Sequence, residues 1–541
     1  MAGDSRLTKP RGSSSNPQAA RNASHTAQNA APNPTATAEL PLPSFHVDVA
    51  IAGGGLAGLA LAAGLQARGI EAAVFEAAPA ARRSNNSTGT VLGVYPNGFN
   101  ALEGLKPGLG EAVIASGSPV AKITFVARQI PADIADSESA SASTSGDNSG
   151  SATNDDATSE NCDGWVVREV PSQVARVVGW ARVQEVLASS LTRPEIIMHG
   201  HRVVAYHPVV AGKPVASSSV SDTTKDGADE GEVEAVDVVL EVVGSNLRTG
   251  ANISSVAAPE GADIGEEGGA AQQQRELVVV RAKILVAADG VRSAVRNQMI
   301  GDSPRYLEQF GWNARVPSQP SGDVSQQQNR TVLSFKDAVS AADPDGQLKA
   351  ELEQTPFGGF GKPGVKDRLM CHVSKHIADP SAHDTWHTVL QAVTTTDPGN
   401  IYERWMMDRP PPKDSWSDSK CGNRVVLMGD AAHAMHPELG QGAQTAFEDA
   451  HQLSLCLAEI KDVLAEPAAV AAAVREYEGR RIDRCVRIHA YATAAHGFGE
   501  EARLVRELSP PEKSKLFMEF QKWILAYPDK IKGDPESTYF K

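Results

Sequence analysis

The chain has 541 residues, 41% of them hydrophobic and 22% charged, with a formal net charge of −15. That acidity excludes nucleic acid as the main partner, because phosphate binding needs a basic surface; with no apolar run of about eighteen residues, no transmembrane helix is expected. Five scattered cysteines, Cys162, Cys371, Cys421, Cys456 and Cys485, never spaced CxxC, fit a reducing compartment, cytoplasmic or plastid, better than a disulfide framework or a zinc centre.

Residues 1–44 are rich in Ala, Ser, Thr, Asn and Pro, with Arg6, Lys9, Arg11 and Arg21 among few charges. A transit peptide and a disordered tail both fit, and Asp4 and the lack of an amphipathic pattern count against the first. Order begins at Phe45, where a short β-branched run to Ile51 reads as a buried strand. Glycines follow, then a helix over 59–66 ended by Gly69, then a strand over Ala72–Glu76. Strand, helix and strand in about thirty residues form a βαβ unit and imply a parallel sheet. Three segments, about 137–163, 215–232 and 245–274, are rich in Ser, Ala, Gly, Asp and Glu and are expected to be disordered inserts. Strands are predicted over 196–206, 233–243 and 277–287, so the last two inserts fall at the tips of an antiparallel meander. A strand over 425–428, a helix over 443–460, a long helical stretch over 470–498 and an amphipathic helix over 512–527 complete the chain.

Gly53-Gly54-Gly55-Leu56-Ala57-Gly58 satisfies GxGxxG in the setting its mechanism requires, after a strand and opening a helix. Gly53 permits the turn, Gly55 lets the backbone approach a diphosphate, and Gly58 allows close helix–strand packing. Leu56 and Ala57 complete the turn before the helix, whose free N–H groups favour an anion. Glu76 stands where an acid binds ribose hydroxyls. Gly359, Gly361 and Gly364 match the pattern formally, but Pro363 interrupts them and no apolar strand precedes them. They read as a loop, so nicotinamide has no Rossmann domain of its own. The third meander strand ends in Asp289-Gly290, followed by Arg292, Ser293 and Arg296. A later strand delivers Gly429-Asp430 to its C-terminal end, where ligands bind in open α/β sheets. His433, His436 and Glu438 follow, but the HxxH precedes the helix and lacks a ligand cluster, so no metal is expected. Gly440-Gln441-Gly442 then brings backbone close to any planar ligand before the next helix.

These three motifs in this order resemble the FAD-dependent aromatic hydroxylases, single-component flavoprotein monooxygenases with the para-hydroxybenzoate hydroxylase fold. The stretch Gly429–Gly442 looks most like the zeaxanthin epoxidase and salicylate hydroxylase branch. The resemblance spans about residues 45–491, inserts apart. It implies an α/β fold: a Rossmann-like FAD-binding domain with a parallel sheet and β-meander (45–95, 165–302 and 421–460), and an α+β substrate domain on a mostly antiparallel sheet (96–164 and 303–420). Residues 461–541 form a C-terminal helical region. It implies FAD as cofactor, NAD(P)H as co-substrate and O2, with a small aromatic or isoprenoid molecule hydroxylated or epoxidised. By the same resemblance Glu76 binds the adenosine ribose, Asp430 the ribityl chain, and Asp289 and Gly290 the flavin. Pro437 and Gly440–Gly442 lie against the isoalloxazine, and Arg82 or Arg83 is the basic residue after the ribose acid. Pro96-Asn97 matches the dipeptide leading toward the substrate region. The family's arginine opening the helix before the meander is missing, since Trp180 stands there, and Arg182 is the candidate replacement. No catalytic acid or base is identifiable; His372 and Tyr402 are unsupported guesses. A flavin oxidase or reductase on the same fold, or a non-catalytic FAD-binding interaction protein, remains an alternative.

Overall fold

The computed structural model describes residues 42–79, 91–118, 122–128, 159–162, 165–171, 176–211, 232–243, 276–316, 331–338, 359–377, 385–494 and 508–528, and every structural statement below concerns these. Residues 1–41, Arg82, Arg83 and the second and third expected inserts, Glu232 apart, lie outside them.

The apolar run after Phe45 forms β1 (Phe45–Ala52), whose Val49–Ala52 are fully buried. The glycine turn leads into α1 (Leu56–Ala67) and then β2 (Ala72–Glu76). Leu59, Leu61 and Leu65 of α1 are also fully buried, each contributing about 1.5–3 kcal/mol by leaving water. β3 (Val91–Val94) precedes α2 (Pro96–Leu105), with proline at its first turn, and α3 (Leu109–Ala115). β4 (Lys122–Arg128), β5 (Ser159–Cys162) and β6 (Trp165–Pro171) form a small antiparallel sheet in the order β4-β6-β5. The first expected insert is thus too long at its C-terminal end: Ser159–Cys162 has little intrinsic strand preference but gains a ladder from β6. β7 (Arg176–Gly179) pairs back on β3 and runs into α4 (Trp180–Ser189).

The expected strand over 196–206 divides at Gly200, which has φ +72°, into β8 (Ile197–His199) and β9 (His201–Val210). β10 (Val233–Val242) and β11 (Leu277–Ala287) complete the antiparallel meander. Asp237 and Arg281 face each other across it in a two-pronged ion pair of 2.7 and 2.8 Å. α5 (Ala294–Ile300) follows β11.

A second, four-stranded antiparallel sheet has β12 (Arg305–Val316), β13 (Thr331–Ala338), β14 (Gly359–Phe360) and β15 (Ile401–Asp408) in the order β13-β12-β15-β14. Between β14 and β15 lie α6 (Val365–Ile377) and α7 (Thr385–Thr395). The formal GxGxxG at 359–364 is therefore more than a loop, because it joins a two-residue strand to a helix. That strand is antiparallel to β15, so no βαβ crossover arises.

β16 (Val425–Leu427) then joins the main sheet, whose order is β8-β2-β1-β11-β10-β9. β10 pairs with β11 only as far as Ala282, and β16 takes up the same edge over Leu285–Ala287, parallel to β11. β1, β11 and β16 thus run side by side in parallel, and their C-terminal ends bring the three motifs together. α8 (Asp430–His433), α9 (Gly442–Glu459), α10 (Pro467–Ala494) and α11 (Pro510–Leu525) close the chain. α9 packs on α1, α2 and α10. Residues 96–115, assigned to the substrate region from sequence, pack against the main-sheet helices, α2 on α1 and α9 and α3 on α2 and α4.

His451 of α9 fastens Tyr527 to this centre, its Nδ1 lying 2.7 Å from the tyrosine hydroxyl. Burial, and then the charges of Arg68, Arg481 and Arg480, hold His451 down at about 4 from an ordinary 6.5. The folded pKa is depressed, so this imidazole favours the folded state above pH 6.5, and the stability is lost as pH falls toward 4. A shift of that size corresponds to about 3 kcal/mol. In urea unfolding, the loss of stability between pH 7 and pH 4.5 should be smaller in His451→Gln than in the wild type by about 2–3 kcal/mol. Equal losses would show that His451 is not held neutral.

Candidate functional site: a cleft where three motifs meet

The first motif is built by close contacts. Gly53 has φ +98°, and a Cβ there would lie 2.5 Å from the Ala288 carbonyl oxygen. A Cβ on Gly58 would lie 2.0 Å from the Gly53 oxygen. Gly55 differs, because a Cβ there would meet nothing within 4 Å. Its backbone faces open space in front of α1, which has no side-chain cap and no acid in its first turn. Amide groups at such an end are a ready anion site. Glu76 stands over the turn: Oε2 accepts from Gly54 N (2.7 Å) and Oε1 from Ala78 N (2.7 Å). Each oxygen retains a lone pair for a further donor.

The structure does not bring Arg182 to this turn. Its guanidinium pairs with Glu185 at 2.9 Å and both side chains are exposed, beside Pro107, Gly108 and Leu109. Two residues along a helix is a rotation of about 200°, so Gln184 takes the inward position and donates Nε2 to Gly54 O at 2.7 Å. The sequence comparison looked for a charge, and the residue that reaches the loop is a neutral amide.

At the second motif, Asp289 Oδ2 accepts from Ala294 N at 2.8 Å, while Oδ1 is buried without a hydrogen-bond partner. Burial raises the pKa of this carboxyl, against hydrogen bonds from Ser293 and nearby amides. Gly290 has φ +82° and open space beside it. Ser293 caps α5 by accepting from Arg296 N. Arg296 then donates Nη1 to the carbonyls of Ala431 (3.1 Å) and Ala432 (2.7 Å), tying the second motif to the third. Arg409 acts in parallel on Val291 O and Asp302.

At the third motif, Gly429 has φ +57°, and a Cβ there would lie 2.9 Å from that of Ala57, the first motif's helix. Its N–H donates to Asp449 Oδ2 at 2.9 Å. Asp430, the first residue of α8, is exposed to solvent. Burial raises its pKa, against the charges of His433 and Arg404. A Cβ on Gly442, the first residue of α9, would lie 4.0 Å from Asp430 Oδ1, so this helix start faces the same cleft. Its first turn holds no acid and no side chain caps it. Pro437 opens the short turn before it, and Gly440, at φ +61°, lies against the Tyr95 ring. Gln441 is buried; its Oε1 accepts from Asn97 Nδ2 at 2.9 Å, and its Nε2 has no partner.

Behind the third motif lies a charged network that the sequence reading missed. His433 Nε2 is 2.6 Å from Asp449 Oδ2, and Arg481 donates Nε to Asp449 Oδ1 at 2.7 Å. Arg481 and Arg484 both bind Glu448 at 2.7 Å. Burial alone would raise Asp449, but His433 and Arg481 hold it at about 2. His433, Asp449 and Cys485 offer ligand atoms within 4.8 Å of one another. Arg481 already fills that space, donating to both Asp449 and Cys485 Sγ, so a guanidinium stands where a cation would. The signal was present in sequence as Glu448-Asp449 facing Arg481 and Arg484, but only their pairing across α9 and α10 gives it meaning.

Of the two guessed catalytic residues, His372 is buried against Trp312 with ring centroids 5.4 Å apart. It lies on the Glu403 face of the second sheet. Tyr402 and Arg404 occupy the opposite face, since side chains alternate along β15.

Residues 263–485 match the family model described as an FAD binding domain. The chain is 27% identical to the chloroplastic zeaxanthin epoxidase of Solanum lycopersicum over 468 residues, covering 85% of this chain and 56% of that protein. It is 30% identical to the 3-amino-4-hydroxybenzoate 2-monooxygenase of Streptomyces cremeus over 217 residues, 38% of this chain and 48% of that one. The chain thus spans about half the length of these relatives. Among solved structures, Klebsiella pneumoniae HpxO complexed with FAD and uric acid has a TM-score of 0.50 at 18% identity, covering 90% of this chain and 96% of that one. Residues 263–485 are thus similar to an FAD binding domain, and the fold as a whole is similar to that of HpxO.

Proposed function

We propose that the cleft binds FAD non-covalently and that the protein is an FAD-dependent monooxygenase, using NAD(P)H and O2 on a small aromatic or isoprenoid substrate. The observation that carries this reading is the convergence of three motifs on one cleft, with Gly55 facing open space, Asp289 Oδ1 left unpaired and Asp430 open to solvent. These are the features a nucleotide with a diphosphate and a polyol chain would complete. When bound, FAD supplies the redox chemistry by which NAD(P)H is oxidised and one oxygen atom is transferred from O2.

The chain's own residues bind and orient. The start of α1 takes the diphosphate, Glu76 accepts from ribose hydroxyls, and Asp430 accepts from the ribityl chain. Asp289 offers Oδ1, and Gly290 keeps its approach clear. Pro437, Gly440 and Gln441 form the wall beside the ring. The start of α9, with about half a positive charge, stabilises negative charge on the reduced ring. Product formed per NAD(P)H consumed separates this reading from an oxidase, a reductase or a binding protein on the same fold.

A carboxylate on ribose makes charge-assisted hydrogen bonds of about 1.5–3 kcal/mol each. Glu76→Ala should therefore weaken FAD binding at least roughly tenfold in a fluorescence titration, with circular dichroism unchanged. An unaltered dissociation constant would remove Glu76 from the site. Gly442 tests the opposite end of the cleft. Alanine fits there, since its Cβ would only touch Asp430, whereas the branches of valine would crowd it. Gly442→Val should lose FAD affinity roughly tenfold and lower the flavin reduction potential, with Gly442→Ala near wild type. Full affinity and an unaltered potential in the valine variant would mean that α9 does not start at the flavin ring.

A further inference from the structure

The buried charges behind the third motif can be counted. Glu448 and Asp449 of α9 meet Arg481 and Arg484 of α10, and all four are at most 1% exposed. Two carboxylates and two guanidiniums cancel. His433, also fully buried, is the group left over. Its proton decides whether the cluster is neutral or carries one positive charge. Its Nε2 lies 2.6 Å from Asp449 Oδ2. A carboxylate oxygen only accepts, so Nε2 keeps its hydrogen in either state. Nδ1 is buried without a hydrogen-bond partner; a neutral ring would leave a lone pair unmatched there, and a charged ring an N–H. The short contact with a carboxylate therefore tips the balance toward the charged ring. The other groups around the imidazole are Asp430 on its own helix, Arg481 and Cys485 on α10, and the Trp416 ring at 5.4 Å between centroids. Burial works against a proton on His433; Cys485 and Asp449 favour it and raise the imidazole well above its ordinary 6.5.

We propose that His433 carries a standing proton, and that this one net positive charge, buried one helical turn from Asp430, favours the reduced, anionic flavin over the oxidised one. The proposal rests on the flavin reading above. His433 is a positioning residue: it touches Asp449 and acts on the cleft through that carboxylate and through space. α8 is only the four residues Asp430–His433, so the ring and the exposed carboxyl are fixed to each other. The charge of His433 is the first to oppose the rise that burial imposes on Asp430. Salt screens a buried charge far less than an exposed one, and the start of α9 adds a partial charge of the same sign. A neutral imidazole would leave Arg481 as the only cation on Asp449, and Arg481 already serves Glu448 as well.

The test is the reduction potential of the FAD-loaded full chain beside that of His433→Gln, measured against a redox dye from about pH 6 to about pH 9. Glutamine keeps an Nε2 donor for Asp449 and removes the charge. The variant should bind reduced FAD roughly tenfold less tightly relative to oxidised FAD, a potential lower by about 30 mV for the two-electron couple. That gap should stay constant across the pH range. A merely structural histidine would affect both redox states alike, so weaker FAD binding with an unaltered potential overturns the proposal. A gap that closes as pH rises also overturns it, because the imidazole would then titrate in its ordinary range. His433→Asn serves in the same titration should glutamine not fold. Independently, ring 15N shifts of histidine-labelled wild type read the proton. One imidazole should stay doubly protonated at about pH 9, and its signal should survive His489→Gln, which removes the ring 3.4 Å from Asp408. Absence of that signal overturns the proposal. Failure of the wild type to hold FAD would sink the flavin reading, and the 15N spectrum of the flavin-free chain would still decide whether His433 is charged.

Discussion

A single backbone N–H sets the geometry of this cleft. Gly429 must turn sharply so that Asp430 enters the open space, and its N–H donates to Asp449, a fully buried carboxylate. A buried charge costs several kcal/mol unless it is paired and fully hydrogen-bonded. Here His433, Arg481 and the Gly429 amide share the two oxygens. The turn is thus held by an acid that could not stay charged without its partners. Those partners lie on α8 and α10, so distant parts of the chain must be in place before the third motif has its shape.

The same logic joins the other motifs. β1, β11 and β16 are parallel neighbours, and each delivers a glycine or a Gly-Asp turn to one edge of the sheet. Parallel strands alone would leave those turns free to splay. Two close approaches oppose this: Gly53 lies against the Ala288 and Asp289 backbone, and Gly429 lies against the Ala57 Cβ. Arg296 adds a polar lock by donating to the Ala431 and Ala432 carbonyls from α5. The result is a rigid frame whose unfilled positions are few and specific. They are the space before Gly55, Asp289 Oδ1 and the solvent above Asp430.

Much of this was legible in the sequence because it depends on local pattern. The βαβ unit, the meander, the three motifs and the four-then-three spacing along α9 all appear where expected. What stayed hidden depends on contacts between distant segments. Arg182 is the candidate for the missing arginine, and only the rotation of α4 shows that Gln184 is the residue that faces the loop. Asp449 reads as a solvent-facing position of an amphipathic helix, yet α10 covers that side as well. Ser159–Cys162 lacks strand character and pairs because β6 offers an edge. The helix at Val365 follows a Pro- and Gly-containing turn and begins with charged residues, so neither apolar periodicity nor a cap announced it.

The two walls of the cleft differ in kind. The nucleotide side offers helix starts, backbone amides and three carboxyls, groups suited to a ligand with both a diphosphate and hydroxyls. The β15 side is divided by strand alternation: Glu403 meets Arg368 of α6 and Trp312 of β12, while Tyr402 and Arg404 lie on the opposite face. Glu403, one residue away, is satisfied by Arg368, so pairing it with Arg404 would require reversing the strand's faces. The fold therefore keeps this arginine from its nearest acid. Tyr402 and Asp430 both act on its charge.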